Sequence, residues 1–383
     1  MTLFRFETPP SASMNRVRIM DLPGLPLDDA VRDRRGDELI SNRALMALAA
    51  EYAEALGLRR DSLIGRTPQL TQSDVFLRDQ AARMVQEALS GPEGEARAAA
   101  ESIARRLGRN LGWLLVALHR GDRCNRSVRP DWHARDWERW SAVRTVWLGG
   151  GLSIGQLGDL IAEEAQTLLR AMHCGVITVK LSPYRDLVAL VGAGRTVPVA
   201  LMDRQRTVLC LDFGHTLVKR AGLIFRDGVM VGLEPLAPRL ADWQQILGQA
   251  EASEAVGFRV LNFVARTIAE ALSELPQTEP AAIVSIAAYR QQGRLVGNGP
   301  YATIHAAGGQ ASAETIIGDA VGQRTGHHPT VRVIHDGTAA SLAHAGTPDS
   351  AILMLGTALG VGFPSGETGG LCPVAPDLVP AQA

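Results

Sequence analysis

The sequence predicts an α/β protein of two domains with a ligand cleft between two similar halves. Three observations carry that prediction. First, residues 143–181 read as strand, glycine turn, helix and strand, the pattern of a parallel α/β unit. Second, an apolar strand, a turn of Gly and Thr and a second apolar strand occur twice, at Asp212 and again at Gly356. Third, the chain has 383 residues, 46 % of them hydrophobic, which is more than one small core needs.

The elements follow in order. LFRFE (3–7) and RVRIMDL (16–22) each read as a short strand. Helical spacing begins at Ser41. A helix is expected over 73–89, stopped by Gly91-Pro92, and another over 93–119, with Leu107, Leu111, Leu114, Leu115 and Leu118 on its apolar side. Trp132, Trp137 and Trp140 lie in a polar stretch, where tucking against a helix is the expected role. Val143–Leu148 is a strand that runs into Gly149, Gly150 and Gly151. Ser153 stands three residues before Gln156, a capping-box spacing for the next helix, which Gly175 ends. VITVKLS is a strand. From about 204 the chain reads as hairpin-linked strands, with Asp227-Gly228 as a turn. A helix over 258–275 with Pro276 after it, a buried strand AIVSIAAY, a helix over 313–323, the strand VRVIHD and a short helix TAASLAHA follow. AILMLGTALGVGFP closes the pattern as a hairpin.

Charge and cysteine usage exclude several classes. There are 39 basic and 40 acidic side chains, so nothing electrostatic draws the protein to nucleic acid or to an anionic membrane. The four cysteines have no close ligand spacing, which argues against a disulfide framework and against zinc. Cys210 reads as a small buried thiol. With no leader-like or membrane-length apolar run, the expected location is the cytoplasm.

Glycine lets the backbone approach a phosphate closely, and threonine adds a hydroxyl donor. Gly214, His215 and Thr216 supply these groups in the first turn, and Gly356, Thr357 and Gly360 in the second. Asp212 repels phosphate but suits Mg²⁺ held through water. Lys219 either adds a charge near the phosphates or faces solvent, and His327 and His328 are expected to be solvated. Asp336 ends a strand just before a helix, where it is placed either to act as a general base or to cap that helix. The three glycines at 149–151 either admit a flat ligand or make a tight turn.

Together these segments resemble the sugar-kinase, actin and heat-shock ATPase superfold, and most closely its ROK family. LDFGHT resembles the family's first phosphate loop, GTALGVG its second, HDGTAAS its catalytic-Asp segment, and WLGGGLS its adenosine-side glycines. The segments stand out of the family's order, which implies circular permutation of a two-domain ribonuclease H-like fold. In that arrangement residues 1–200 are the back part of the second domain, 201–345 the first domain and 346–383 the second domain's opening hairpin. The resemblance implies an ATP- and Mg²⁺-dependent kinase acting on a hydroxyl of a sugar-like molecule. Asp336 would be the catalytic base, and Asp212 would organise Mg²⁺ through water. Gly214, His215, Thr216, Gly356, Thr357 and Gly360 would hold phosphates, and Gly149, Gly150, Gly151 and Ser153 would face the nucleoside. GDELISNRAL resembles an acidic sugar-contacting segment and brings in Asp37 or Glu38, and His335 stands where the family has a substrate-side Asn. The family's cysteine-rich zinc loop is absent. A homodimer is compatible with the resemblance. A non-catalytic nucleotide- or sugar-binding relative and a phosphohydrolase of the same superfold remain alternatives.

Overall fold

The computed structural model describes residues 13–58, 72–198, 206–248, 253–275, 278–297 and 299–378. The strand expected at 3–7 and the helix stop at Pro276 lie outside them. The chain is a mixed α/β protein that divides into two compact units. One holds Ser11–Asp186 with Pro348–Phe363, the other Leu187–Thr347 with the tail from Pro364.

The first unit opens with helix α1 (Asn42–Glu51), capped by Ser41, whose Oγ accepts from the amides of Arg43 and Ala44 at 3.1 and 3.3 Å. RVRIMDL forms no strand; it contributes a single bridge, Arg18 to Arg35. Helix α2 (Gln72–Ser90) and helix α3 (Glu95–Arg120) follow, the latter ended by Gly121 in the left-handed region. All five leucines expected on the apolar side of α3 are buried. Helix α4 (Ala134–Ala142) carries Trp137 and Trp140 into the core. Trp132 meets Trp137 edge-on at 5.0 Å and Trp140 meets Phe363 at 5.1 Å, so the tryptophans anchor the polar stretch. Helix α5 (Gly155–Ala171) lies against α3 so closely that a Cβ at Gly108 would stand 2.7 Å from the Ile161 carbonyl oxygen.

The sheet of this unit runs β11–β10–β1–β2, with β1 (Thr145–Gly149), β2 (Thr178–Leu181), β10 (Ser350–Leu355) and β11 (Leu359–Gly362). β10 and β11 form an antiparallel hairpin. β10 pairs with β1, and β1 with β2, in parallel.

The second unit has the order β5–β4–β3–β6–β9. β3 (Arg206–Phe213), β4 (Leu217–Arg226) and β5 (Val229–Leu240) form an antiparallel meander. Asp227 and Gly228 turn β4 into β5 with φ of 50° and 78°, the two positive values that a tight hairpin of matching twist requires. β6 (Thr278–Ile286) and β9 (Thr330–His335) extend the sheet in parallel from β3. A small hairpin, β7 (Tyr289–Gln291) with β8 (Arg294–Val296), stands apart. The two main sheets thus share one plan. Each has a hairpin whose first strand pairs in parallel with a second strand, itself parallel to a third.

Strand β3 is buried on both faces. Leu209, Leu211 and Phe213 join the core with Val260, Val264 and Ile268 of helix α7 (Ser253–Glu274). Cys210 alternates to the other face, where its Sγ lies 3.6 Å from the Leu190 carbonyl of helix α6 (Val188–Gly194). Its burial pushes the thiol well up. Helix α8 (Ala313–Thr325) precedes β9, and helix α9 (Asp336–Ala343) follows it directly and packs on α6. His327 and His328 are exposed, as expected.

His344 ends α9 and is buried. Burial, with the Arg195 guanidinium adding to it, lowers its imidazole from 6.5 to about 4. The unfolded chain therefore takes up this proton first as pH falls, and the folded state loses stability. The loss runs from pH 6.5 down to about 4 and reaches about 3 kcal/mol at its acid end. Urea midpoints should fall over that window, and His344→Gln should flatten the fall.

Candidate functional site

The ends of parallel strands are where α/β sheets collect ligands, because loops there diverge and leave room. In the second unit the carboxyl ends of β3, β6 and β9 bring Asp212, Ser285 and His335-Asp336 together. Asp212 stands level with Ser285 in the β3–β6 register, and Ile286 stands level with His335 in the β6–β9 register. Ser285 Oγ donates to Asp212 Oδ1 at 2.7 Å, so this nearly buried carboxylate is held in place from the neighbouring strand. Lys219 faces Asp212 across the β3–β4 hairpin and is half-buried rather than solvated. Directly opposed residues share a sheet face, so the two charges lie on one side.

The loop between β3 and β4 carries Gly214, His215 and Thr216. Its three carbonyls are each held by a donor from the protein. Tyr301 Oη donates to Gly214 O at 2.8 Å, Trp243 Nε1 to His215 O at 2.7 Å and the Ala241 amide to Thr216 O at 2.9 Å. His215 is lowered by burial, while the charge of Asp336 pulls the other way. Both Asp212 and Asp336 act on the Tyr301 hydroxyl, whose burial pushes it well up. Asp336 is thus within electrostatic range of both His215 and Tyr301, and Asp212 of Tyr301.

Asp336 is the first residue of α9, and it does not cap that helix. The cap is His335, whose Nδ1 accepts from the Thr338 amide at 3.2 Å. That bond leaves the proton on Nε2, which lies 3.1 Å from Asp336 Oδ1, within ion-pair distance of it. The Gly337 amide donates to the same oxygen at 2.6 Å. Oδ2 accepts no hydrogen bond from the described residues, and the side chain is 24 % exposed. The His335 ring stacks on Tyr289 at 5.0 Å, and burial lowers its imidazole. Nδ1 is engaged by the helix it caps, and Nε2 lies beside the Asp336 carboxylate.

The first unit gathers the remaining sequence candidates. Gly149 pairs with Met354 in the β1–β10 register, and Gly150 follows with φ 88°. A Cβ at Gly150 would stand 2.5 Å from the Leu355 carbonyl oxygen, whereas one at Gly151 would meet nothing within 4 Å. Gly150 is thus a packing and conformational glycine, and Gly151 borders open space. Gly151→Ala should leave the melting temperature unchanged and Gly150→Ala should lower it, which differential scanning calorimetry can check. Ser153 does not cap α5. It ends a one-turn 3₁₀ helix and its Oγ donates back to Gly150 O at 2.7 Å. α5 starts after Ile154, and its last turn passes into His173 in the left-handed region rather than running to Gly175. Gly356 and Thr357 form the β10–β11 turn, Gly360 lies on β11, and the Gly356 carbonyl accepts from the Asn42 amide at 2.8 Å. Asp37 and Glu38 sit in a one-turn helix before α1. Asp37 pairs with Arg35 at 3.1 Å, and burial still raises its carboxyl. Glu38 accepts from the Arg35 amide at 3.0 Å, so both acids have local partners.

Ser285, Trp243 and Tyr301 were not found by sequence reasoning. Ser285 had a signal, a lone hydroxyl near the end of an apolar strand. The two aromatics act through a single atom each, at long sequence separation, and leave no local pattern.

The sequence matches no model of a known protein family, and no curated protein matches it significantly.

Proposed function

We propose that the protein is an ATP- and Mg²⁺-dependent phosphotransferase acting on a hydroxyl of a sugar or sugar-like molecule, built on a circularly permuted ribonuclease H-like scaffold of ROK type. The observation that carries this reading is the state of Asp336. Its Oδ1 accepts from the Gly337 amide with His335 Nε2 3.1 Å away, and Oδ2 accepts no hydrogen bond from the described residues. It stands just past the carboxyl end of a parallel strand, at the same sheet end as Asp212 and the Gly214–Thr216 loop. The shared plan of the two sheets, with the hairpin last in one unit, supports the permuted scaffold.

The residues present fit the metal. Mg²⁺ is usually held by one or two carboxylates together with water and phosphate oxygens, not by an all-protein cage. Asp212 is a carboxylate of that kind, with Oδ1 held by Ser285. Bound there, the ion would neutralise phosphate charge. The chain's own part is positioning and proton transfer. Asp336 accepts the proton of the attacking hydroxyl through Oδ2, His335 keeps that carboxylate aimed, and the loop amides meet the phosphate. Within the first unit, Gly151 is the glycine of its turn with room beside it, and Gly149, Gly150 and Ser153 shape that turn.

A second reading, nucleotide binding without turnover, draws on one observation. A half-buried imidazole, His215, stands in the loop at a position where the resemblance has glycine. Calorimetry with Mg·ATP and a coupled assay on a panel of sugars separate the two. Binding with turnover supports the kinase, and binding without turnover on any acceptor supports the second reading. Phosphate release from ATP with no acceptor present indicates a hydrolase.

A further inference from the structure

We infer that Trp243 and Tyr301 are positioning residues that set the polarity of the Gly214–Thr216 loop, turning it from an anion-repelling into an anion-accepting surface. The inference rests on the phosphate-binding reading of that loop and goes beyond it by naming what fixes it.

In a trans peptide the C=O and the following N–H point in opposite directions. No cis peptide occurs among the described residues. Tyr301 Oη holds the Gly214 carbonyl, so the His215 amide points the other way. Trp243 Nε1 holds the His215 carbonyl, so the Thr216 amide does too. Successive amides turned to one side form an anion-accepting concavity. Without those two donors, either carbonyl can swing outward and present lone pairs to a phosphate.

The clamp is stiff because its two aromatics brace each other. Their rings meet edge-on at 5.0 Å, and each also meets a phenylalanine of the core: Tyr301 meets Phe213 at 6.0 Å, and Trp243 meets Phe263 at 6.0 Å. Both are buried. Trp243 is seated by its neighbour, since Asp242 Oδ1 accepts from the Gln245 amide at 3.0 Å at the start of a short helix. A buried tyrosine and a buried tryptophan generally need partners for their polar atoms. Here both partners are consecutive carbonyls of a single loop.

The test uses the full chain and the conservative variants Tyr301→Phe and Trp243→Phe, with Mg·ATP and adenosine as probes. Calorimetry should show Mg·ATP affinity falling about fivefold to tenfold in each variant, the effect of one lost hydrogen bond, while adenosine affinity stays at the wild-type value. A purely structural role would weaken both probes together, and that result overturns the inference. Mg·ATP should also shift the tryptophan emission of the wild-type protein, and Trp243→Phe should remove most of that shift. Wild-type Mg·ATP affinity in both variants overturns the clamp while leaving the phosphate-binding reading standing. Failure of the wild-type protein to bind Mg·ATP overturns both. Should one variant not fold, the other alone decides by the same ratio of the two probes.

Discussion

Asp336→Asn should abolish ATP-dependent phosphoryl transfer, lowering kcat by about 10²–10⁴, the range that general-base catalysis contributes. The substitution keeps the shape of the side chain. It also keeps an oxygen that can accept from His335 Nε2 and from the Gly337 amide, so α9 should start as before. What it removes is the basicity at Oδ2. Affinity for Mg·ATP should change little, because the loop carbonyls remain held by Tyr301, Trp243 and Ala241. Steady-state kinetics on the best acceptor, paired with calorimetry, reads both quantities. Undiminished kcat would remove Asp336 from the chemistry.

Gly192→Ala should be the most destabilising single-methyl change in the second unit. A Cβ at Gly192 would stand 1.8 Å from the Ala339 carbonyl oxygen and 2.8 Å from the Ala343 amide. Those atoms are backbone of α9, so no side chain can rotate away. Alanine is intrinsically favoured over glycine in a helix by about 1 kcal/mol. A backbone clash of this kind outweighs that preference, and we expect a net loss of about 3 kcal/mol. For a unit of this size the midpoint should then fall by about 6–12 °C in differential scanning calorimetry. The effect reaches the site as well. α9 begins at Asp336, so forcing α6 and α9 apart displaces the proposed base, and on the kinase reading kcat should fall even where the variant remains folded.

The fold was legible where a local rule sets the backbone. Asp227-Gly228 announces its hairpin because few other residues accept two positive φ values in sequence. Gly121 and the leucines of α3 mark a helix and its end. RVRIMDL alternates like a strand, yet it runs as irregular chain with one bridge, because side-chain alternation cannot supply a partner strand. Ser153 has the spacing of a capping box, but a one-turn 3₁₀ helix ends at it and α5 begins only after Ile154, so Ser153 lies outside the cap position. At the site, Asp212, the Gly214–Thr216 loop and Asp336 were marked by being polar groups at the ends of apolar strands, and the structure places them together at one sheet end. Lys219 was left between two readings because its strand alternation says which face it takes, not whether that face is covered. The role of His335 as cap and orienting group was also hidden. It depends on which of its two nitrogens accepts the Thr338 amide, a choice made only once α9 has formed.

The most direct test of the central claim is a crystal structure with Mg²⁺ and a non-hydrolysable ATP analogue. The account predicts phosphate oxygens about 3 Å from the amides of His215 and Thr216, with the metal on the Asp212 side and Asp336 Oδ2 facing the terminal phosphate. An analogue bound with its phosphates away from the β3–β4 loop would contradict it.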